Sequence, residues 1–411
     1  MSEPKGEDSG AYIGSAAEEG CNTETGAAGA ADTKAPVPAL HEQQAGGDTY
    51  GKQTVQVGGV NITQFGKVRV FENLDDLSKS GKAAPKQPGT AAGSDDEADE
   101  DLPPALRFIG PADVVDVSDQ TMTHFEWIGT QGQKVTVIQD VGHLVNLESF
   151  CLRCNFVREV SGLSTLTNLV SLELYENRLN SLDGIQHLVN LTNLDLSYNR
   201  LRELDPAILA PLTNLTRLHV AENKLSKIQG LSTLVNLEVL DLGMNRIREI
   251  EGLESLVKLE ELWLGKNKIE QIKGLENLQS LRRLSVQSNR LRSIGEGLSS
   301  LASLEELYLS HQGITHFDGL DNLSKLNTLD VSNNQISSMD GLPAASLPLL
   351  EELWMSYNKV ASYEEVDKLA PLATVIKTIY LDHNPIARDF EYRMRLARTL
   401  PSLEQIDATM R

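Results

Sequence analysis

From Leu147 onward, apolar and polar positions alternate in a fixed phrase, L-x-x-L-x-L-x-x-N, that returns eleven times and closes at Asn384. It reads LESFCLRCN at Leu147, LVSLELYEN at Leu169, LTNLDLSYN at Leu191, LTRLHVAEN at Leu215, LEVLDLGMN at Leu237 and LEELWLGKN at Leu259. It continues as LRRLSVQSN, LEELYLSHQ, LNTLDVSNN and LEELWMSYN, and ends in the looser VIKTIYLDHN. Successive closing residues lie 22, 22, 24, 22, 22, 22, 23, 22, 24 and 26 residues apart. The alternation predicts a short strand in each copy, with the leucines at positions four and six turned inward. The Asn at position nine is expected to turn the chain and to hydrogen-bond neighbouring backbone inside the stack, and Gln312 is its one substitute. No single copy can close its own core, so the copies must stack. The pattern therefore specifies an α/β repeat fold: a leucine-rich-repeat solenoid of about 11 repeats, mostly 22–24 residues long, with a concave parallel β-sheet.

A second apolar set follows each Asn, for example Ile247, Ile250, Leu253, Leu256 and Leu259. Its spacing leaves no room for a full α-helix and predicts 3₁₀ or irregular turns on the convex side. A longer helical turn is expected where Pro206 to Pro211 expands one link to 24 residues. Gly162, Gly184, Gly230, Gly252, Gly274, Gly297, Gly319 and Gly341 mark a bend in these connections, where close approach or positive φ is expected. Each fully buried Leu or Ile contributes roughly 1.5–3 kcal/mol.

Composition changes the picture at the front of the chain. The net charge is -21 over 411 residues. Residues 1–105 carry 8 Lys and Arg against 18 Asp and Glu, and are rich in Gly, Ala and Ser. Such a segment cannot bury enough apolar surface to offset the entropy of ordering, and reads as a disordered acidic tail. Val55 to Phe71 interrupts it with strand-like alternation, either a docking segment or nothing. SDDEADED, Ser94 to Asp101, reads as a solvated linker in preference to a kinase site. Residues 106–140 turn apolar again, with Phe108, Ile109, Val114, Val115, Phe125, Trp127, Val135 and Val137, and serve as an N-terminal cap for the repeats at 141–384. Residues 385–411 read as a C-terminal cap, a short helix and a tucked strand with Leu403 and Ile406 in the last apolar layer. No apolar run long enough to cross a membrane and no secretory signal is present. Three cysteines also point to an intracellular protein, and the single C-x-x-C at Cys151 and Cys154 lacks the second pair that a zinc site needs.

Strand alternation turns positions three, five and seven toward the concave face. Position five reads Cys151, Glu173, Asp195, His219, Asp241, Trp263, Ser285, Tyr308, Asp330, Trp354 and Tyr380. Position three adds Glu261, Glu306 and Glu352, and position seven is mostly small. Aromatics at Trp263, Tyr308, Trp354 and Tyr380 beside carboxylates suit a protein-binding face that selects a basic partner. The plainer reading, that strand positions tolerate such residues, is weaker for four aromatics on one surface. Ten steps of about 4.8 Å give a face on the order of 50 Å, the size of a folded domain. No phosphate-cradling loop, nucleophile elbow or metal-ligand motif appears, so no enzyme, cofactor or metal is expected. His219 between Asp195 and Asp241 reads as a hydrogen-bonded surface cluster. An acidic concave face also disfavours nucleic acid.

Segments such as LWLGKNKIEQIKGLENL, LSVQSNRL, LYLSHQGI and the closing IYLDHNPIARDFEYRMRLARTLPSLEQIDATMR resemble the family of regulatory subunit 7 of protein phosphatase 1 over about residues 140–411. The resemblance implies a non-catalytic subunit of nucleus and cytoplasm that grips the catalytic subunit of the type-1 serine/threonine phosphatase through its concave face. Activity, maturation or localisation of the phosphatase would follow, with a third, inhibitor-type subunit as a further partner. Asp195, Asp330, Glu352, Trp354 and Tyr380 match the family's contact types. Trp263 stands for Phe, Asp241 for Glu, and His219 departs from a Phe. Neither KVRVF at Lys67 nor HFEW at His124 forms an R/K-V-x-F docking motif, so the solenoid itself must bind. The alternative is a repeat scaffold for an axonemal, spliceosomal or chromatin-associated partner.

Overall fold

The computed structural model describes the backbone of residues 53–57, 60–65 and 68–72, and residues 110–130 and 133–410. The chain divides into two units, and the smaller, Ala16–Arg107, holds an antiparallel meander of β1 (Gln53–Val57), β2 (Val60–Phe65) and β3 (Val68–Glu72). The strand-like alternation from Val55 to Phe71 thus corresponds to real strand pairing, with Val55 opposite Ile62 and Ile62 opposite Phe71. The rest of the segment expected to be a disordered tail, including Ser94–Asp101, lies outside the described residues, as do the cap residues Phe108 and Ile109.

The larger unit is the solenoid. After a four-residue helix α1 (Pro111–Val114) come three-residue strands, one per turn: β4 (His124–Glu126), β5 (Ser149–Cys151), β6 (Ser171–Glu173), β7 (Asn193–Asp195), β8 (Arg217–His219), β9 (Val239–Asp241) and β10 (Glu261–Trp263). The series continues as β11 (Arg283–Ser285), β12 (Glu306–Tyr308), β13 (Thr328–Asp330), β14 (Glu352–Trp354) and β15 (Thr378–Tyr380), closing with β16 (Gln405–Ile406) and an antiparallel β17 (Thr409–Met410). They form one 14-stranded sheet in sequence order, about 12 turns of a parallel β-solenoid with little helix. Strand order follows sequence order because each turn returns the chain to the same point, one inter-strand spacing further on.

Positions four and six supply the core: Leu172, Leu174, Leu240, Leu242, Leu353 and Ile379 are fully buried. The turns after each Asn are short, as the spacing required, and the longer link contains α2 (Pro206–Leu209), whose N-cap Asp205 accepts from the Ala207 amide at 2.8 Å. At the far end, α3 (Tyr363–Asp367) and α4 (Tyr392–Thr399) precede β16, and Leu403 and Ile406 are buried. At the near end Phe125 stacks on Phe150 with ring centroids 4.9 Å apart, and the Trp127 indole donates to the Gln133 carbonyl at 3.1 Å, covering the first full turn. Among the described residues no helix is long and apolar enough to cross a membrane.

The asparagine ladder is present. In a representative turn, Asn245 Oδ1 accepts from the Leu225 amide one turn earlier at 3.0 Å, while Nδ2 donates to the Val220, Leu242 and Gly243 carbonyls at 2.9, 3.1 and 3.0 Å. Gln312 reproduces the inter-turn pair, accepting from the Leu291 amide at 3.0 Å and donating to the Val286 carbonyl at 2.5 Å. The turn itself is made elsewhere than expected. In all eleven copies the residue before the Asn, from Cys154 (φ 58) to His383 (φ 56), is left-handed although none is glycine. Turning the chain at position eight aims the position-nine side chain inward. Its hydrogen bonds offset the roughly 1–2 kcal/mol that a left-handed non-glycine residue costs.

One glycine assignment changes. The turn lengthened to 23 residues puts its positive φ at Gly295 (φ 72), two residues before the expected Gly297. Gly297 retains the close approach, since a Cβ there would overlap the Ile272 carbonyl oxygen. A second asparagine ladder, unforeseen in sequence, runs along the turn before the strands. Asn168, Asn190, Asn214 and Asn236 each donate to a carbonyl of the preceding turn, those of Val145, Thr167, Val189 and Thr213, at 2.9–3.0 Å. Its signal is the repeated L-x-N-L that leads into each strand.

Candidate protein-interaction face

The parallel register places the position-five residues side by side: Cys151 beside Glu173, then Asp195, His219, Asp241, Trp263, Ser285, Tyr308, Asp330, Trp354 and Tyr380. Every residue singled out for binding except Glu352 is on this line, and Glu352 lies on the parallel line of position three, between Thr328 and Thr378.

The line is not uniformly open. Asp241, Trp263, Tyr308 and Asp330 are buried, with Trp263 only 3% exposed, whereas Asp195, His219, Glu352, Trp354 and Tyr380 are half-buried. Concave strands bring neighbouring side chains together at about the inter-strand spacing, so a large ring covers its smaller neighbours and is covered by the next ring. The four aromatics form one continuous row. Trp263 and Tyr308 stack across Ser285 at 6.4 Å, Tyr308 and Trp354 meet across Asp330 at 6.2 Å, and Trp354 meets Tyr380 edge-on at 6.0 Å.

Position three holds this row in place. The Trp263 indole donates to Glu261 at 3.2 Å, the Tyr308 hydroxyl to Glu306 at 2.8 Å and the Trp354 indole to Glu352 at 3.1 Å, the same Glu-Leu-aromatic device in three turns. Tyr380 has no such Glu, and its hydroxyl accepts from Gln405 at 2.6 Å. Arg283, which sequence reading had not singled out, lies between Glu261 and Glu306 and binds both, at 2.9 Å to the first and at 2.6 and 2.7 Å to the second. Its position-three place in LRRLSVQSN, between two Glu at position three, was the available signal. Hydrogen bonds from Arg283 hold the Glu306 carboxyl below the ordinary carboxylate range against the opposing effect of burial, and the Tyr308 hydroxyl adds to them. Burial and the Glu306 contact in turn push the Tyr308 phenol up. Two of the three position-three glutamates thus share one guanidinium within the protein, and Glu352 makes no ion pair among the described residues.

The position-five aspartates serve their own backbone, in the aromatic half of the face as in the other. Asp195, Asp241 and Asp330 each accept from the amide two residues on, that of Ser197, Gly243 and Ser332, all at 2.9 Å. Burial, seconded by Glu173, pushes the Cys151 thiol up to about 12, so it is an unreactive packing residue at neutral pH.

Family models described as leucine-rich repeats match residues 189–247, 235–277 and 294–409. The chain is a leucine-rich repeat protein. Among solved structures it is similar to an internalin of Listeria monocytogenes, with 24% identity, a TM-score of 0.60 and coverage of 71% of this chain and 88% of that one. It is also similar to a leucine-rich repeat protein of Leptospira interrogans, with 25% identity, a TM-score of 0.51 and coverage of 66% and 81%. No curated protein matches the sequence. The likeness to solved structures is one of fold, and any more specific role has to be argued from the face itself.

Proposed function

We propose that this leucine-rich repeat protein is a non-catalytic regulatory or scaffold subunit whose concave face grips the catalytic subunit of a type-1 serine/threonine protein phosphatase. The observation that carries the reading is the row Trp263–Tyr308–Trp354–Tyr380, rings in continuous contact and set by glutamates at the neighbouring position. Rings fixed in this way lose little freedom when a partner docks, and pre-ordered aromatics are what interface hot spots use. The resemblance to the phosphatase-regulator family supplies the partner, because the half-buried residues Asp195, Glu352, Trp354 and Tyr380 match that family's contact types. Trp354 and Tyr380 offer apolar contact, and Glu352 and Asp195 offer carboxylates to Lys or Arg on the enzyme.

Calorimetric titration of the full chain with the phosphatase catalytic subunit tests this. Tight binding is expected, weakened at least 50-fold by Trp354→Ala and about 10-fold by Glu352→Ala. Unchanged affinity in both variants would remove the concave face from the interaction. Absence of binding by the wild type to metal-loaded and metal-depleted enzyme alike would remove the phosphatase. Recovery of axonemal, spliceosomal or chromatin proteins in its place would point to the alternative class of scaffold.

A further inference from the structure

On the side of the solenoid just past the sheet, position ten of each turn makes one backbone bond to the turn before. The amides of Arg178, Arg200, Lys224, Arg246, Lys268 and Arg290 donate to the Val157, Leu179, Leu201, Leu225, Ile247 and Ile269 carbonyls at 2.8–2.9 Å. Positions nine and eleven turn inward, the Asn into its ladder and Leu179, Leu201, Leu225, Ile247, Ile269 and Leu291 into the core at 0% exposure. Positions ten and twelve therefore turn outward, and position ten is basic in six consecutive turns. Position twelve is basic in every second one, at Arg202, Arg248 and Arg292.

In a chain of net charge -21, positions eight to thirteen of these six turns hold eleven Lys and Arg against five Glu. One of the five, Glu249, is already engaged by Lys273 at 2.7 Å. Among the described residues Lys224, Arg248, Lys268, Arg290 and Arg292 form no ion pair. Five steps of about 4.8 Å make this ridge on the order of 24 Å long, which is the reach of roughly seven residues in extended conformation.

We propose that this ridge is a second interaction surface and that it binds an extended, acidic peptide segment of a partner protein. It is separate from the concave face and does not depend on the phosphatase reading. Three features favour a peptide over a nucleic acid. The ridge is short, no longer than the reach of about seven extended residues, so a short run of carboxylates can lie along the position-ten column. Arginine forks at Arg248, Arg290 and Arg292 can engage a carboxylate in bidentate geometry, as they can a phosphate. Among positions eight to thirteen of these six turns Tyr198 is the one aromatic, so successive bases would find no continuous stacking platform. The acidic body would also repel a long polyanion extending beyond the ridge, while a short peptide stays within a Debye length of its basic partners.

The test is fluorescence anisotropy of the full chain with a labelled twelve-residue peptide of repeating Glu-Asp-Ser, beside a labelled twelve-nucleotide oligouridylate. The peptide is expected to bind at 50 mM salt and to weaken at least tenfold by 300 mM. The triple variant Lys224→Glu, Lys268→Glu, Arg290→Glu is expected to lose at least 20-fold in peptide affinity, and the same three positions changed to Gln an intermediate amount. The Gln variant keeps the test valid if the Glu variant fails to fold. Retained concave-face binding in the Gln variant would show that the two surfaces are independent. Equal peptide affinity in the wild type and the Gln variant, or oligouridylate binding tighter than the peptide, would overturn the proposal.

Discussion

Strands β4–β9 and β10–β15 share one backbone and one register, yet their position-five side chains are of different kinds. The first half presents Glu126, Cys151, Glu173, Asp195, His219 and Asp241, and the second Trp263, Ser285, Tyr308, Asp330, Trp354 and Tyr380. In the first half, Asp195 and Asp241 are occupied with their own backbone amides. In the second, Asp330 does the same, and further carboxylates at position three fix aromatic rings, two of them sharing Arg283. The comparison separates two jobs of the repeat. Leucines and asparagines hold every turn alike, and what a turn offers a partner is decided by two or three outward positions that the core leaves free to vary.

If that separation is right, removing a ladder asparagine should hurt both halves equally. Asn199→Ala and Asn358→Ala each strip one acceptor from a buried amide, that of Leu179 and Ile336, and leave three carbonyls without their shared donor. Each is expected to lose about 2–4 kcal/mol in urea unfolding, because the amide left unpaired costs about 1–3 kcal/mol and three further bonds are lost, although each carbonyl keeps one other donor. A difference of more than 2 kcal/mol between them would mean that the halves are not held by the same device.

Binding should split the halves instead. With the phosphatase catalytic subunit as partner, Tyr380→Ala is expected to weaken binding by about 2 kcal/mol and His219→Ala by less than 1 kcal/mol. Equal losses in the two variants would place the anchor along the whole face and not in its aromatic half.

The smallest expected effect concerns Arg283 and is pH-dependent. Arg283→Met leaves Glu261 and Glu306 without their shared cation and is expected to cost about 1–2 kcal/mol at pH 7. Because Arg283 lowers the folded-state pKa of Glu306, its contribution is fully present above the ordinary glutamate range and is lost as pH falls through the lowered value. The gap between wild type and variant in thermal unfolding should therefore close on acidification. A gap that widens toward low pH would show that Arg283 acts through packing against Trp263, whose ring it overlies at 5.8 Å.

The nine-residue phrase alone determined the solenoid, the parallel register, the inward leucines and the asparagine ladder, and it put eight of the nine chosen residues on one line with Glu352 beside it. Those features depend on a period of two within a strand and a repeat between strands, both of which are written along the chain. Tertiary structure alone decided which of them a partner can reach: Trp263 is closed in and Trp354 is half open although both follow Glu-Leu. It also set the turn at position eight, moved a left-handed bend from Gly297 to Gly295, and drew Arg283 between two glutamates one turn to either side. The physical reason is the same in each case. Exposure, ring contact and ion pairing are set by side chains about 22 residues apart in sequence and one strand spacing apart in space, and no local pattern records how they share that space.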